Sequence, residues 1–165
     1  TTAIKREAAS EDVRRTVTEG MAMLNREASE AMLEVGPNAA TDVTGFGLVG
    51  HLVEMARASQ RRIRLTADKV PLLAGAMEAV AMGLVPAGTH ANRNYFSAWT
   101  AMDLPVSPET SDLLHDPQTS GGLILGISGD RAPDLIKALL GAGVDVVAEI
   151  GEVVDHDPEG ALVII

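Results

Sequence analysis

The segment from Asp42 to Gly47 combines residue types that could bind a metal ion and a phosphate group. Asp42 is expected at the end of a short extended segment, and Thr44, Gly45 and Gly47 stand at the entry to a helix. Free N–H groups at a helix amino terminus attract anions, and glycines let a ligand approach the backbone closely. A carboxylate beside them could hold magnesium, which prefers oxygen ligands. Spacing alone favours a simpler interpretation, in which Asp42 or Thr44 caps the helix and the glycines form a turn.

A second polar segment, later in the chain, could line a pocket. It reads His115-Asp116-Pro117-Gln118-Thr119-Ser120-Gly121-Gly122 and immediately precedes a predicted strand. The proline fixes one backbone dihedral, the two glycines permit positive ones, and Gln118 and Thr119 supply hydrogen-bond donors and acceptors. Spacing alone favours an ordinary polar turn that leads into the strand, with Asp116 as its cap.

Patterning before residue 70 predicts the elements that position the Asp42 segment. Ser10 is a candidate N-cap for one long amphipathic helix, because apolar residues recur at three- and four-residue spacing up to Val35. The elements predicted next are an extended segment over 39–43, a helix over 48–56 and a strand over 62–66.

Patterning after residue 70 predicts further helices and strands around the second segment. These are a helix over 71–82, long loops over 85–108 around a short helix at 92–99, a strand over 123–127, a helix over 133–140, and strands over 144–154 and 161–165 joined by a turn at 155–160. Strands interleaved with helices indicate an α/β or α+β fold. A chain of 165 residues is most simply one domain, over 1–165.

Composition limits which residues can form the core and which environments fit the protein. Hydrophobic residues make up 46% of the chain, but only one Trp, one Tyr and two Phe are present, so the core must be aliphatic. No apolar run approaches the roughly 18 residues that cross a bilayer, so no membrane partner is expected. The absence of cysteine removes disulfides, thiolate zinc sites and thiol nucleophiles together, and it fits a cytoplasmic protein.

The acidic charge of the chain constrains its partners. Lys and Arg number 13 against 23 Asp and Glu, which gives a formal charge of −10. Such a chain repels nucleic acid, and no basic stripe reverses that repulsion. ATP is repelled as well, so a phosphate site would need a divalent metal, a helix amino terminus or cations from another domain.

The histidines and the residues over 92–99 offer weaker candidates. The four histidines show no zinc-ligand spacing. His51 is expected on the solvated side of its helix, whereas His115 lies within a candidate motif. The run Asn92-Arg93-Asn94 could place a cation and amides near phosphates, or it could be a helix cap with a surface arginine. Tyr95, Phe96 and Trp99 are expected to form a small core under the long loop rather than a platform for adenine.

The two polar segments, in this order, closely resemble those of selenophosphate synthetases. The resemblance covers essentially the whole chain and continues in Leu24-Asn25-Arg26, Pro71-Leu72-Leu73-Ala74-Gly75-Ala76, Val85-Pro86-Ala87-Gly88-Thr89 and Asn92-Arg93-Asn94-Tyr95-Phe96. The wider superfamily includes aminoimidazole ribonucleotide synthetase, thiamine monophosphate kinase and a hydrogenase-maturation dehydratase. The resemblance implies a mixed β-sheet flanked by helices, partly ferredoxin-like, that forms the carboxy-terminal domain of a two-domain enzyme.

The resemblance also implies a reaction and a division of roles. ATP, hydrogen selenide and water would give selenophosphate, AMP and orthophosphate, for selenocysteine and selenouridine synthesis. Asp42 would bind Mg²⁺, and the site residues toward the nucleotide would be Thr44, Gly45, Gly47, Gln118 and Thr119. The carboxy-terminal domain would close the nucleotide site from one side, and the His115–Gly122 turn would support that wall.

The resemblance further implies that essential groups lie outside these residues. Family members carry an amino-terminal ATP-binding domain with a Cys or selenocysteine, an essential Lys and the main dimer interface; Thr1 is expected to begin just beyond that domain. No catalytic residue is therefore expected here, this piece alone is expected to be inactive, and a homodimer is expected of the longer protein.

Two alternatives remain at this point. One is the ATP-dependent hydrogenase-maturation dehydratase, whose carboxy-terminal tail ends in Cys. The sequence ends Val163-Ile164-Ile165, which disfavours that alternative if this end is native. The other is a non-catalytic interaction module that kept the fold.

Overall fold

Helices and short strands alternate along the chain in the computed structural model, which describes residues 1–165. In chain order the elements are α1 (Thr2–Lys5), α2 (Glu11–Ala22), α3 (Arg26–Val35), β1 (Ala39–Asp42), α4 (Gly47–Ser59), β2 (Arg61–Leu65), α5 (Ala76–Ala81), α6 (Ala87–Phe96), β3 (Thr100–Met102), α7 (Pro108–Leu114), β4 (Leu123–Gly126), α8 (Ala132–Gly141), β5 (Gly151–His156) and β6 (Ala161–Ile164). No helix combines the length and the apolar character that crossing a membrane requires.

The strands form one mixed sheet and one separate antiparallel pair. The mixed sheet has the order β3-β6-β2-β5, in which β6 runs parallel to both β2 and β3, whereas β5 is antiparallel to β2. The separate pair joins β1 to β4, with Asp42 opposite Leu123. The predicted mixed sheet flanked by helices is therefore confirmed.

The main core lies between α4 and the mixed sheet. The buried aliphatic residues of α4 are Val49, Leu52, Val53 and Ala56, and those of β2 and β6 are Ile63, Leu65, Leu162 and Ile164. Full burial of one such Val, Leu or Ile side chain contributes roughly 1.5–3 kcal/mol. Because this packing anchors α4, it also fixes the first turn of that helix, which begins at Gly47.

A smaller apolar cluster lies on the other side of the β1–β4 pair. Ala31 of α3 packs with Leu135 and Leu139 of α8, and the half-buried Leu125 and Ile127 from the end of β4 adjoin them. The helices α3 and α8 therefore pack against the β1–β4 pair and not against the mixed sheet.

The single long helix predicted up to Val35 is wrong, because the structure breaks it into α2 and α3. Met23 has extended backbone dihedrals, and both Met23 and Leu24 are exposed. Gly20 and Asn25 have low helix propensity, so little local free energy is lost where the chain turns between them.

The prediction for residues 71–108 also differs from the structure. The helix expected over 71–82 is present only as α5, since Gly75 has φ +80° and precedes its first turn. The helix expected at 92–99 begins earlier, as α6, directly after Pro86. Two elements in or next to this region, β3 and α7, carry no strong periodic pattern and were missed.

The two C-terminal strands are placed differently from the expected strand–turn–strand unit. β5 begins at Gly151 rather than near Val144, and β5 and β6 lie on opposite sides of β2 instead of beside each other. Between them the chain passes against the last turns of α4, where a Cβ on Gly160 would lie only 2.4 Å from Cα of Arg57. This close passage requires glycine, which also has φ +69°.

Candidate functional site

The β1–β4 pair brings the two polar segments together. Beyond Asp42 the pairing continues into the loops, because Val43 donates its N–H to the carbonyl of Gly122 at 3.0 Å and Gly121 donates to the carbonyl of Val43 at 2.9 Å. Segments that are far apart in sequence therefore leave the strand pair side by side.

The loop from Thr44 to Gly47 packs directly on the second segment. The carbonyl of Thr44 accepts hydrogen bonds from the N–H groups of Gly47 and Gln118, each at 3.0 Å. Gly47 has φ +69°, and a Cβ there would lie 2.7 Å from the carbonyl carbon of His115. Only glycine fits this backbone-to-backbone contact without strain.

Asp42 is exposed at the end of β1, where this loop begins. Its carboxylate forms no salt bridge, and no side-chain hydrogen bond of the protein reaches it. No group of three or more His, Cys, Asp or Glu side chains forms a metal cage. A lone carboxylate with open surroundings nevertheless fits Mg²⁺, which commonly binds one or two carboxylates and takes its other oxygens from water and phosphate.

Several backbone N–H groups next to Asp42 remain without a partner in the protein. Those of Gly45, Phe46 and Leu48 stand at the amino terminus of α4, where the helix dipole favours negative charge. The N–H groups of Thr119 and Ser120, in the facing turn, are also unbonded. We call these five N–H groups the amide rim. The rim and the Asp42 carboxylate together offer donors for an anion and one ligand for a cation.

His51 is buried, so its predicted position on the solvated side of the helix is wrong. Only 7% of the residue is exposed, and its Nε2 accepts the backbone N–H of Thr44 at 3.0 Å. The hydroxyl of Thr44 lies 3.2 Å from the same nitrogen. Because a backbone N–H can only donate, Nε2 is the acceptor, and the ring carries its proton on Nδ1, which lies 3.6 Å from a carboxylate oxygen of Glu54.

Asp116 and Gln118 interact with each other at the base of the second segment. The amide nitrogen of Gln118 donates to the Asp116 carboxylate at 2.8 Å, and the hydroxyl of Thr89 donates to the other oxygen at 3.2 Å. Burial raises the pKa of Asp116, while these two hydrogen bonds oppose the rise. The side chain of Gln118 is thus partly committed to holding its own turn.

His115 is the most buried histidine of the chain, with 2% of the residue exposed. Burial lowers its pKa, although Nδ1 donates to the carbonyl of Ser111 at 2.7 Å, which stabilises the charged form. The neutral ring therefore packs beneath the second segment as part of its support.

Asn92 connects both segments, a role that the sequence did not reveal. Its side-chain NH₂ donates to the carbonyls of Gly45 at 2.9 Å and His115 at 3.0 Å. Neither alternative predicted for 92–94 describes this position, because Asn92 lies inside α6 and is buried. The spacing of Thr89, Asn92 and Phe96 along one helical face is the signal that could have pointed to it.

The neighbours of Asn92 point elsewhere. Arg93 forms a salt bridge with Asp112 at 2.6 Å. Asn94 is exposed, and because it is two residues from Asn92 it lies on the opposite side of the helix.

The predicted aromatic core is only partly present. Phe96 is buried, but Tyr95 is 65% exposed. Trp99 is half-buried under the guanidinium of Arg57, 4.3 Å above the ring.

All the residues singled out for metal and nucleotide binding meet in one region. The residues that the structure brings together there are Asp42, Thr44, Gly45, Gly47, Gln118 and Thr119. Asp42 and the amide rim are open to a ligand, whereas Thr44 and Gln118 are partly used for internal contacts. The individual binding roles stay predictions.

These features define a mixed α/β domain in which two polar loops meet at the amino end of one buried helix. The chain belongs to the family described as AIR synthase related protein, C-terminal domain, whose model matches residues 3–164.

Relatives with curated names extend the comparison. A selenide, water dikinase of Caldanaerobacter subterraneus subsp. tengcongensis is 42% identical over 159 residues, which cover 94% of this chain and 46% of the relative. One from Pelobacter propionicus is 40% identical over 98% of this chain and 47% of its own length. A third, from Trichlorobacter lovleyi, is 47% identical over 79% of this chain and 38% of its own. The chain thus spans about half the length of the curated relatives it matches.

Proposed function

We propose that this chain is the carboxy-terminal domain of a selenophosphate synthetase (selenide, water dikinase), a phosphotransferase that acts on ATP, selenide and water. The observation that carries the proposal is the open Asp42 carboxylate beside the amide rim, in a chain 42% identical to a selenide, water dikinase. The products would be selenophosphate, AMP and orthophosphate. The selenophosphate would supply selenocysteine and selenouridine synthesis, in the cytoplasm.

The proposed task of these residues is to bind and orient the polyphosphate. Asp42 would contribute one oxygen to Mg²⁺, and the N–H groups of Gly45, Phe46 and Leu48 would donate to phosphate oxygens. A magnesium ion held there would neutralise part of the phosphate charge, which is the usual means of accelerating phosphoryl transfer. In a chain of formal charge −10, such local neutralisation offsets the overall repulsion of ATP.

Two internal contacts favour this orientation of the loop. The hydrogen bond from Thr44 to His51 turns the Thr44 N–H inward. The carbonyl of Thr44 is occupied by Gln118 and Gly47, so it does not face an approaching anion. The open side of the loop therefore presents donors, which is what a phosphate requires.

The remaining parts of the active site would come from an amino-terminal domain. We expect that domain to supply the Cys or selenocysteine, the essential Lys and most nucleotide contacts, and to form the interface of a homodimer. Residues 1–165 alone are therefore expected to produce no selenophosphate.

A chimera tests the proposal. Residues 1–165 replace the matching part of the Caldanaerobacter relative, and selenide-dependent formation of AMP and selenophosphate is followed by ³¹P NMR. The chimera is expected to be active, and Asp42→Asn is expected to lower kcat/KM for Mg–ATP by about 100-fold, roughly 2.7 kcal/mol.

The matched control is Asp145→Asn, which removes another exposed carboxylate, outside the two loops. It is expected to leave kcat/KM within about twofold of the parent chimera. An Asp42→Asn chimera with the activity of its parent would refute the metal role and favour a non-catalytic interaction module.

A further inference from the structure

We propose that Asn92 is a positioning residue, which fixes the Asp42–Gly47 loop against the His115–Gly122 turn. The inference rests on the proposed function for its catalytic consequence, but its structural part stands on hydrogen bonds alone. Asn92 touches neither the amide rim nor the Asp42 carboxylate in the protein's hydrogen bonding; it acts through the backbone of each segment.

Asn92 joins the two segments through two hydrogen bonds from one NH₂ group, and we call this arrangement the clamp. One hydrogen of the NH₂ group of Asn92 goes to the carbonyl of Gly45 at 2.9 Å, and the other goes to the carbonyl of His115 at 3.0 Å. Both partners are backbone oxygens, which only accept, so the amide orientation follows from chemistry: the reversed amide would place Oδ1 against two carbonyl oxygens.

The clamp requires a neutral side chain with two donors on one nitrogen. Asp offers no donor in its charged form, Ser offers one, and Lys brings a charge that would need to be desolvated in this buried position. Asn92 is 9% exposed, so water cannot readily take over both hydrogen bonds.

The helix that carries Asn92 is oriented by its other buried residues toward the same two segments. One turn earlier, Thr89 donates to Asp116 at 3.2 Å. One turn later, Phe96 packs against the backbone at Gly50 in α4, where a Cβ would lie 2.5 Å from its ring. The residues of α6 that are buried are Thr89, Asn92 and Phe96, so the inward face of α6 serves this junction.

The functional consequence follows from what each segment carries. The Gly45 side of the clamp bears Asp42 and three N–H groups of the rim, and the His115 side bears the other two. Loss of Asn92 would loosen the contact between the two sides, although backbone hydrogen bonds such as Gln118 to Thr44 would still join them and every ligand-binding group would remain in the chain. A polyphosphate that spans both sides would then bind less tightly.

Hydrogen exchange on the full chain tests the clamp directly. The reporter is the amide of Gln118, which bonds across the junction to Thr44. The sheet references are the amides of Thr66 and Ile165, which directly follow β2 and β6 and are hydrogen-bonded at that end of the mixed sheet. In Asn92→Asp, exchange at Gln118 is expected to be about tenfold faster, with the reference amides within about twofold of the wild type.

The control Asn94→Asp makes the same charge change on the exposed side of α6. It is expected to alter the exchange rate neither at Gln118 nor at the reference amides. Asn92→Leu, which removes the donors without adding a charge, repeats the measurement if Asn92→Asp does not fold.

The same variants in the chimera test the link to function. Asn92→Leu is expected to raise KM for Mg–ATP about tenfold with kcat changed less than about threefold, and Asn94→Asp is expected to match the parent chimera. Unchanged exchange at Gln118, equal loss of protection at Gln118 and the sheet references, or selective loosening with an unchanged KM would each overturn the inference. If the unmutated chimera forms no selenophosphate, the proposed function fails instead. The clamp is then judged by hydrogen exchange alone. Loss of protection at Gln118 only would support the clamp, and equal loss at Gln118 and the sheet references would refute it.

Discussion

The backbone N–H of Thr44 donates to Nε2 of His51, seven residues further along the chain, across 3.0 Å. This hydrogen bond ties the loop that follows Asp42 to the helix that the loop introduces. It removes one donor from the outer face of the loop and leaves those of Gly45 and Phe46 free. The loop is therefore shaped by its own helix before any ligand arrives.

Replacement of His51 by Ala is expected to destabilise the domain by about 1–3 kcal/mol, because it leaves the Thr44 N–H without a partner at a half-buried position. Urea unfolding followed by circular dichroism measures the change. His156→Ala, at an exposed histidine on β5, is the control and is expected to stay within about 0.5 kcal/mol of the wild type. Equal stabilities for the two variants would contradict the assigned hydrogen bond.

Replacement of Gly47 by Ala is expected to cost at least about 2 kcal/mol, since the new Cβ meets the carbonyl of His115 and φ is +69°. Gly129→Ala is the matched change, because no atom lies within 4 Å of the added carbon and φ is not positive there. Thermal unfolding of both variants measures the difference. A Gly47→Ala protein as stable as Gly129→Ala would mean that the two loops do not pack as described.

The half-buried carboxyl of Asp116 is expected to make the domain less stable as pH rises. Its pKa is raised in the folded state, so its stabilising contribution is complete below the unfolded value, about 3.9, and is lost as pH rises through the raised value. In Asp116→Asn this loss is absent, so the variant should gain stability relative to the wild type across that pH window. Urea unfolding at a series of pH values tests the sign, and a difference that is constant with pH would disprove it.

His115 is expected to act in the opposite direction. Burial lowers its pKa, so the folded state prefers the neutral ring, and stability should fall as pH drops below about 6.5, where the unfolded chain takes up the proton first. NMR titration of the His115 ring should give a midpoint below the ordinary histidine value of about 6.5. A midpoint at or above that value would contradict the burial of the ring.

The local parts of the site were predictable from sequence, because their determinants are neighbours in the chain. A carboxylate, a threonine and glycines before an amphipathic stretch predict a helix entry, and the structure has one at Gly47. The aliphatic core on Leu52 and Ala56 follows equally from periodicity. The break between α2 and α3 was missed, since the apolar spacing continues through Met21 and Leu24 although the chain turns there.

The remaining features depend on partners that are distant in sequence. His51 resembles a surface histidine in the sequence, because its burial depends on the preceding loop, which folds back so that Thr44 bonds to the ring. Asn92 resembles a helix cap in the sequence, because the carbonyls of Gly45 and His115 that accept its hydrogen bonds are distant in the chain. The order of the mixed sheet is equally non-local, because adjacent strands need not be consecutive in the chain.

The position of β6 between β2 and β3 determines when this domain can assemble during synthesis. Both neighbours leave the ribosome long before residues 161–164, and each must wait for that strand to complete its hydrogen bonding. Contacts of such long sequence separation form slowly, so β2 and β3 lack this neighbour until residues 161–164 have emerged. A polypeptide interrupted before Ala161 would leave Ile63 and Leu65 without their neighbours on β6, and this unpaired edge of β2 would be exposed to aggregation and to quality-control proteases.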